Sequence, residues 1–372
     1  MRSASDKSEA LHARVRRMIG AFERGEPMPE GFDALGVDIA RFQAEHVAGY
    51  GRLCAARNAR PAAAARLGEL PAVPTDAFKA ARVFAFGDED ARVVFRTSGT
   101  TIGSRGAHAM RSTETYDAAA LAFGRAMLLA DRPPMVRVIV LGPSPAEAPD
   151  SSLAHMCDRF ARVLGEGNVR DDPFFIREGR LDVASLAARL RGAASDVPVV
   201  VLAATFALVH LLDALGRGVL PLPRGSRVMQ TGGHKGRSRE VPAGALRRDA
   251  ARVFAIDESA IVGEYGMTEL SSQLWETTLV PGGARGVYAE PPWARVVPVD
   301  PETLAPVADG AVGLARIEDL ANVDSAVVIL AQDRVRRVPG GVEVLGRATG
   351  APPRGCSIAV DEMLGGGGAH GR

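Results

Sequence analysis

The spacing of apolar positions divides the chain into a helical first quarter, a central region of alternating strands and helices, and a strand-rich final third. Residues 7–27 and 38–66 are rich in Ala, Arg and Leu with apolar positions at helical spacing, which predicts two helices. Pro71, Pro74 and the pair Phe78–Lys79 then indicate an extended connector. The first quarter is therefore predicted to be a helical lead-in.

Short apolar runs alternate with helical segments in the central region. A buried strand at Val93–Phe95 runs into a loop of Gly, Ser and Thr, which a helix near Thr113–Leu129 follows. The other predicted elements are strands Met135–Leu141, Val199–Ala203 and Ser226–Gln230, and helices Ser151–Leu164 and Val183–Arg191. Because parallel strands need long crossover connections, this alternation predicts an α/β fold with a mostly parallel, covered sheet.

Beyond Glu269 the pattern changes to strands separated by turns. The predicted strands are Arg295–Pro298, Gly313–Glu318, Val327–Leu330 and Val342–Leu345. Closely spaced strands of this kind indicate a smaller β subdomain. The tail Gly365–Arg372 begins with four consecutive glycines and is predicted to be disordered.

Composition and charge narrow the functional classes. The 372 residues are 47% hydrophobic and 24% charged, as in ordinary globular proteins. A net charge of +1, from 45 basic and 44 acidic residues, provides no field to attract nucleic acid or an anionic membrane. The apolar run Val197–Leu215 contains Pro198, His210 and Asp213, so we expect a buried strand and helix and no membrane insertion.

The three cysteines and the N-terminus bear on the cellular compartment. Cys54, Cys157 and Cys356 lie far apart, which fits neither a disulfide framework nor paired zinc ligands. The N-terminal residues lack the apolar stretch of a signal peptide. We therefore expect a cytoplasmic protein.

A loop rich in glycine and hydroxyl groups follows the strand at Val93–Phe95. It reads Thr-Ser-Gly-Thr-Thr-Ile-Gly-Ser-Arg-Gly over residues 97–106 and offers the backbone N–H groups and hydroxyls that hold a phosphate. It is not a Walker A loop, because Ser104 stands where that motif has its second glycine and no lysine follows. Without further observations, a polar surface turn also explains it.

A second polar segment, Gly263–Glu269, follows the apolar stretch Ala260–Val262. Tyr265, Thr268 and Glu269 place an aromatic ring, a hydroxyl and a carboxylate close together in the chain. Such a set suits a nucleotide base, a phosphate and Mg2+, which prefers carboxylate oxygens and bridges to phosphates. A strand end with a solvated glutamate explains the segment equally well.

Together the two segments resemble the adenylate-forming superfamily, whose phosphate loop reads Ser/Thr-Ser-Gly-Thr-Thr/Ser-Gly and whose later motif reads Tyr-Gly-x-Thr-Glu. Thr231–Gly233 matches the glycines on the adenine side in that family, and Asp333 precedes Gly346–Arg347 at a similar spacing. The resemblance spans most of the chain. It implies the large domain of an adenylate-forming enzyme, with mostly parallel sheets and a small β subdomain.

Within the superfamily the chain is most similar to the LuxE-type acyl-protein synthetases, and next to the phenylacetate-CoA ligases. The stretches that carry this likeness are Val73–Lys79, Asp150–Met156, Thr231–Arg237 and Arg354–Ser357. The likeness implies that Cys356 accepts an acyl group from the adenylate as a thioester. It also implies that the mobile C-terminal domain of longer ligases is truncated.

The resemblance implies a role for each matching residue. The catalytic residues are Cys356, Thr268, Glu269, Arg347 and His108, with Glu269 also the metal ligand for Mg2+. The ATP-binding residues are Thr97, Ser98, Gly99, Thr100, Thr101, Gly232, Gly233, Tyr265, Gly266 and Asp333. Tyr265 stacks on adenine, Asp333 binds the ribose, and Arg347 lies near the ribose or the α-phosphate.

The implied domain arrangement has four segments. They are a helical lead-in packed on the core (1–90), an α/β core that binds nucleotide and acyl group (91–275), a β-rich subdomain of the same large domain (276–345), and a short C-terminal remnant with a flexible tail (346–372).

The sequence departs from the superfamily pattern after the phosphate loop. The usual lysine is missing, and Arg105 and then His108 stand in its place. The glycine that ends the family loop is displaced by Ile102–Gly103. Arg105 can supply a positive charge, but a planar guanidinium differs in geometry from an ammonium.

The function implied is ATP-dependent activation of a carboxylic acid, with fatty acids as the family's substrates, to acyl-AMP. The acyl group then passes to Cys356 and on to a partner, such as a reductase or a carrier, in an acid–thiol ligase reaction. One alternative passes the acyl group to CoA. Two others are a serine hydrolase, suggested faintly by Gly142–Ala146, and a nucleotide sensor without catalysis.

Overall fold

The computed structural model describes residues 3–97, 105–165, 172–191, 196–232, 239, 241–348 and 354–365, and of residues 354–357 the backbone alone. The chain forms two compact units. The first contains residues 1–122, 267–273 and 289–372, and the second contains residues 123–266 and 274–288. The predicted division into four segments stays a prediction.

The first unit begins with three helices: α1 (Ala4–Arg24), α2 (Phe32–His46) and α3 (Ala48–Ala56). Ser3 caps α1 by accepting a hydrogen bond from the Asp6 N–H, and Gly25 ends the helix in a left-handed conformation at φ 67°. The predicted end at residue 27 was therefore slightly too late. The apolar side of α1 is buried through residues such as Val15 and Ile19.

The predicted helix over residues 38–66 was wrong in extent. The chain instead breaks at Val47, which separates α2 from α3, and α3 ends at Ala56. Asn58 then adopts a positive φ of 52°. Pro61 lies three residues further on, and a proline disfavours helical geometry in the residue before it. The alanine-rich composition alone therefore does not extend the helix.

The predicted extended connector holds a short helix, α4 (Ala77–Ala80), after the strand β1 (Val73–Pro74). Phe78 N–H donates to Thr75 O and Lys79 N–H to Asp76 O, which closes the turn. Burial of Phe78 outweighs the weak propensity of so short a segment. The prediction for Phe78–Lys79 was therefore wrong.

The strands of the first unit form two sheets. Strands β2 (Val93–Arg96) and β3 (Ala107–Met110) pair antiparallel, so the glycine and hydroxyl loop connects two neighbouring strands. The larger sheet has the antiparallel order β12 (Ala294–Val299), β13 (Val312–Asp319), β14 (Val328–Val338) and β15 (Gly341–Arg347). Strand β1 adds to β14 in parallel. The predicted strand-rich final third is confirmed.

The second unit is the predicted parallel α/β region. Strands β4 (Arg137–Leu141), β7 (Val199–Ala204), β8 (Arg227–Thr231) and β9 (Ile261–Tyr265) lie parallel in that order, and β10 (Leu274–Glu276) pairs antiparallel with β9. The shorter strands are β5 (Ile176–Arg177), β6 (Arg180–Leu181) and β11 (Val287–Ala289). The helices are α6 (Ser152–Leu164), α7 (Val183–Arg191), α8 (Thr205–Leu215) and α9 (Ala243–Phe254). The predicted α/β class is confirmed.

Helix α5 (Glu114–Leu128) carries the chain from the first unit into the second, close to its predicted bounds. The core of the second unit is built from the β-branched residues of its parallel strands and the apolar sides of α8 and α9. Val199, Val201 and Ile261 are fully buried there, as strands covered on both faces require.

A last helix, α10 (Arg354–Leu364), packs on α3. Arg57 Nε pairs with Glu362 Oε2 at 2.7 Å, and Arg52 Nε donates to Met363 O at 2.7 Å. Met363 is fully buried. The tail beyond residue 365, predicted to be disordered, lies outside the described residues. Within the described ranges, no helix has the length and apolar character needed to cross a membrane.

Candidate functional site

Glu269 is a buried carboxylate with cations near it in the first unit. The residue is 6% exposed. Burial raises the pKa of Glu269 to about 7, although the positive charges of Lys79 and Arg347 act to lower it. The carboxylate is therefore poorly compensated at neutral pH and suited to binding a further cation.

Three side chains hold the backbone around Glu269. His108 on β3 bonds Thr268 O through Nδ1 at 2.8 Å, and Asn322 Nδ2 donates to Glu269 O at 2.9 Å. Asp319 Oδ2 accepts the N–H groups of Ser271 and Ser272, both at 2.9 Å. Because both neighbouring carbonyls and the following N–H groups are satisfied, the segment is fixed before any ligand binds.

His108 is neutral at physiological pH. It is 2% exposed, and burial lowers its pKa to about 4, which the bond to Thr268 O and the charge of Asp324 only partly oppose. A carbonyl oxygen can only accept, so the Nδ1 atom carries the proton. His108 thus links β3, which follows the phosphate loop, to the Thr268–Glu269 segment. The predicted catalytic role of His108 stays a prediction.

Thr97 and Gly106 close the base of the candidate phosphate loop. Thr97 N–H donates to Gly106 O at 2.9 Å, and Gly106 N–H donates to Thr97 Oγ1 at 2.9 Å. Arg105 Nε donates to Thr97 O at 2.6 Å, so part of its guanidinium is committed to the loop's own backbone. The predicted ATP-binding residues Ser98, Gly99, Thr100 and Thr101 lie outside the described residues.

Asp333 and Arg347 face each other on neighbouring strands. They are partners in the register of β14 and β15, next to an irregularity where the pairing shifts. Gly346 has a φ of 82°, a backbone conformation that would be strained in a residue with a side chain. Arg347 follows it and is exposed. The structure thus brings Asp333, the predicted ribose acceptor, together with Arg347, the cation predicted near the ribose or the α-phosphate. The charge of Arg347 also acts to lower the pKa of Glu269.

The second unit contains the other predicted nucleotide residues. Gly232 follows β8 at a φ of 69°, and its carbonyl oxygen accepts a hydrogen bond from Thr205 Oγ1 at 2.7 Å. Thr231 Oγ1 donates to the buried carboxylate of Glu264. Tyr265 ends β9 partly buried, and Gly266 follows it. Gly233 lies outside the described residues.

The cysteines differ in what the structure describes. Burial raises the pKa of Cys54 to about 11 and that of Cys157 still further, so both thiols stay protonated and inert. Both side chains are buried, as those of cysteines that serve only in packing usually are. The backbone of Cys356 lies in the first turn of α10, and its side chain belongs to the part not described.

Sequence reasoning missed three residues that shape this site: Lys79, Asp319 and Asn322. Lys79 ends the stretch Val73–Lys79 that carries part of the family likeness, and this membership is the sequence signal that could have identified it. Asp319 and Asn322 act through backbone atoms far away in sequence, which a motif does not reveal. Among the described residues, no group of three acidic, His or Cys side chains forms a ready metal site.

We expect His108→Leu to lower about tenfold the rate of any reaction that depends on the Thr268–Glu269 segment, because the unpaired Thr268 carbonyl costs on the order of 1–3 kcal/mol and loosens the segment. His108→Asn, which keeps a donor, should lose less. Because the pKa of His108 is about 4, the pH dependence between 6 and 8 should keep its shape in both variants. A changed profile would instead indicate that His108 acts through its ionisation.

Comparison with known proteins identifies one family and several solved structures that are similar to this chain. The family model "Acyl-protein synthetase, LuxE" matches residues 32–365. A sequence search of curated proteins finds no match.

Solved structures that are similar to this chain are found among adenylate-forming enzymes. One is 2-hydroxyisobutyryl-CoA ligase in the postadenylation state with 2-HIB-AMP: TM-score 0.59, 13% identity, 92% of this chain and 68% of that chain. Another is ATP-bound MatB from Rhodopseudomonas palustris: TM-score 0.46, 16% identity, 71% of this chain and 49% of that chain. The chain thus spans about half the length of the MatB structures it matches.

Proposed function

The chain belongs to the LuxE acyl-protein synthetase family, and from this premise we propose that it activates a carboxylic acid with ATP, forms an acyl-adenylate, and transfers the acyl group to Cys356. The substrate we propose is a fatty acid. The final acceptor is a partner protein with a nucleophilic thiol or a reducing activity. Each part of the proposal has a separate test.

One observation supports adenylation above the others. In the first unit, the buried carboxylate of Glu269 lies under the influence of Lys79 and Arg347, and Arg347 faces Asp333 across two strands. His108 ties this group to the strand that leaves the phosphate loop. A bound nucleoside triphosphate requires a carboxylate for its metal ion, cations for its phosphates and a carboxylate for its ribose.

In the first step, an oxygen of the substrate carboxylate attacks the α-phosphorus of ATP, and the bond from that phosphorus to the bridging oxygen breaks. Pyrophosphate leaves, and the acid is joined to AMP. We propose that the hydroxyl and N–H groups of Thr97–Thr101 and Thr268 hold the phosphates while Arg347 stabilises charge on the α-phosphoryl oxygens. Asp333 accepts hydrogen bonds from the ribose hydroxyls.

On the adenine side, we propose that Tyr265 stacks on the base and that Gly232, Gly233 and Gly266 let the backbone approach it closely. Gly232 is exposed and has a positive φ, a backbone conformation that glycine adopts without the strain a side chain would cause. The supporting observation is the position of Gly232, Tyr265 and Gly266 at the carboxyl ends of the parallel strands β8 and β9. Ligands bind at that edge of open α/β sheets.

The residues present fit a divalent cation. Glu269 is buried with its pKa raised to about 7, so a bound cation would remove an energetic cost. Mg2+ takes one or two carboxylates and completes its shell with phosphate oxygens and water. We propose that Glu269 holds Mg2+ there, where the ion would neutralise charge on the departing pyrophosphate.

In the second step, the thiolate of Cys356 attacks the acyl carbonyl of the adenylate, a thioester forms, and AMP leaves with the bonding electrons. The thiol proton passes to solvent. The first turn of a helix favours a thiolate over a thiol, and Cys356 lies in the first turn of α10. The contacts of Arg52 and Arg57 anchor the other end of that helix.

Exchange of labelled pyrophosphate into ATP tests the first step. Purified protein is incubated with ATP, Mg2+, pyrophosphate and a panel of short, long and aromatic carboxylic acids. We expect acid-dependent exchange, strongest with fatty acids. If none of the acids in the panel supported exchange, adenylation would be contradicted. Release of acid from a model ester without ATP would favour the hydrolase alternative.

The pH dependence of exchange should report the ionisation of Glu269. Since its pKa is about 7, kcat/KM for ATP should fall below pH 7 as the carboxyl becomes protonated and loses its affinity for Mg2+. Raising the Mg2+ concentration should move this limb to lower pH, because the cation competes with the proton. A limb that does not respond to Mg2+ would assign the ionisation to another group.

A further inference from the structure

Lys79 lies beside the backbone that closes the phosphate loop. A Cβ on Gly106 would be 3.5 Å from Lys79 Cγ and 3.0 Å from Thr97 Cγ2, so the aliphatic part of Lys79 passes over the end of the loop. Lys79 is also the first of the neighbouring side chains that lower the pKa of Glu269, ahead of Arg347. Lys79 is therefore close both to the end of the candidate phosphate loop at Gly106 and to the carboxylate of Glu269.

The position of Lys79 is fixed from two sides. The preceding residue, Phe78, is buried, and its ring packs on that of His108 at a centroid distance of 5.9 Å and an interplanar angle of 69°. Asp76 accepts hydrogen bonds from Lys79 Nζ at 2.8 Å and from Gln332 Nε2 at 2.7 Å. Helix α4 is thereby tied to β3 and to β14. The Lys79 side chain remains 47% exposed, so a solute can reach its ammonium.

We propose that Lys79 supplies the phosphate-binding lysine that the loop 97–106 lacks in its own sequence, by contacting the β- or γ-phosphate of ATP. The inference rests on the proposed adenylation. An ammonium has three N–H donors, so its bond to Asp76 is compatible with donation to phosphate oxygens as well. Asp76 acts as the positioning residue.

Arg105 is less suited to this role. Its Nε donates to Thr97 O at 2.6 Å, and its Nη2 donates to Arg96 O at 3.2 Å. These bonds aim its guanidinium at the backbone that enters the loop. Lys79 approaches from a different element and presents a compact charge, which fits a phosphate held by backbone N–H groups. The missing lysine is thus supplied from a segment that precedes the loop by about twenty residues.

Labelling of lysine tests the inference without relying on turnover. Only three of the 45 basic residues are lysines, namely Lys7, Lys79 and Lys235. A biotinylated acyl phosphate of ATP transfers its acyl group to an amine held near the terminal phosphate, and peptide mass spectrometry locates the product. We expect label on Lys79 that Mg-ATP reduces about tenfold. Lys7, which pairs with Glu45 at 3.0 Å on the surface, serves as the unprotected control.

Variants complete the test. Lys79→Ala should lower kcat/KM for ATP in pyrophosphate exchange about 100-fold, in the range found when one preorganised phosphate or oxyanion donor is removed. Lys79→Arg should recover part of this loss, and Lys7→Ala should match the wild type. Circular dichroism and the melting temperature verify that Lys79→Ala folds.

The outcomes separate the inference from the function on which it rests. If the wild type exchanges pyrophosphate but Lys79 takes no ATP-protected label and Lys79→Ala is fully active, adenylation stands and the role of Lys79 is wrong. Protection of Lys235 in place of Lys79 would likewise overturn the role of Lys79 and leave adenylation intact. If the wild type neither exchanges pyrophosphate nor takes protected label, both proposals fail.

Discussion

Glu269→Gln should lower the rate of acid-dependent pyrophosphate exchange about 100- to 1000-fold, the range typical of removing one preorganised charge or donor from a transition state. Glutamine keeps the size of the side chain and the bond of Asn322 to the backbone carbonyl, so the change removes only the negative charge. Without that charge, Mg2+ would lose the protein ligand proposed for it, and the leaving pyrophosphate would lose stabilisation. The effect should appear mainly in kcat.

The same variant should be more stable than the wild type in alkaline solution. The pKa of Glu269 is about 7 in the folded protein and 4.5 as the reference value, so the folded state binds protons more tightly. Stability from this group is present below pH 4.5 and is lost as the pH rises through 7. At pH 8, without Mg2+ and nucleotide, we expect Glu269→Gln to gain about 2–3 kcal/mol in the free energy of unfolding.

A matched control separates charge from position. Glu302→Gln changes an exposed carboxylate in a surface turn of the same unit and should leave both exchange and stability unchanged. If Glu269→Gln lost stability at pH 8 together with activity, Glu269 would have a structural role. Full activity in that variant would remove it from the metal site.

Cys356→Ser should abolish the covalent acyl adduct while leaving pyrophosphate exchange within about twofold of the wild type. The thiolate takes part only after the adenylate has formed, and a serine hydroxyl at neutral pH is a far weaker nucleophile. Intact mass before and after hydroxylamine measures the adduct, because hydroxylamine cleaves a thioester. Cys54→Ala, which changes a buried thiol, should keep the adduct.

The remaining outcomes identify the acyl acceptor. Formation of acyl-CoA by Cys356→Ala when CoA is added would favour the CoA-ligase alternative over transfer to protein. An adduct that persists in Cys356→Ser would assign the nucleophile to another residue. Exchange without an adduct in the wild type would leave adenylation as the activity and remove the self-acylation step.

The sequence predicted most of the fold because local patterns carry it. The runs Met135–Leu141 and Val199–Ala203 are apolar and β-branched, as strands buried on both faces must be, and both appear as strands. The failures occurred where composition competes with backbone geometry. The alanine-rich segment after α3 is not helical, since Asn58 turns with a positive φ and Pro61 follows.

The candidate site was predictable where it lies in contiguous motifs. Thr268 and Glu269 belong to such a motif, and Glu269 is buried with the charges of Lys79 and Arg347 acting on it. Asn322 and Asp319 were not predictable, because each bonds backbone atoms about fifty residues away in sequence. Lys79 reaches the loop from an element that precedes it, which only the three-dimensional fold reveals.

Transfer of oxygen from acid to AMP tests the central claim most directly. The protein is incubated with ATP, Mg2+ and a fatty acid whose carboxylate oxygens are 18O, and the AMP produced is weighed by mass spectrometry. Attack of the carboxylate on the α-phosphorus predicts AMP that carries one heavy oxygen after the acyl group has left. AMP without label, or ADP as the nucleotide product, would contradict acyl-adenylate formation.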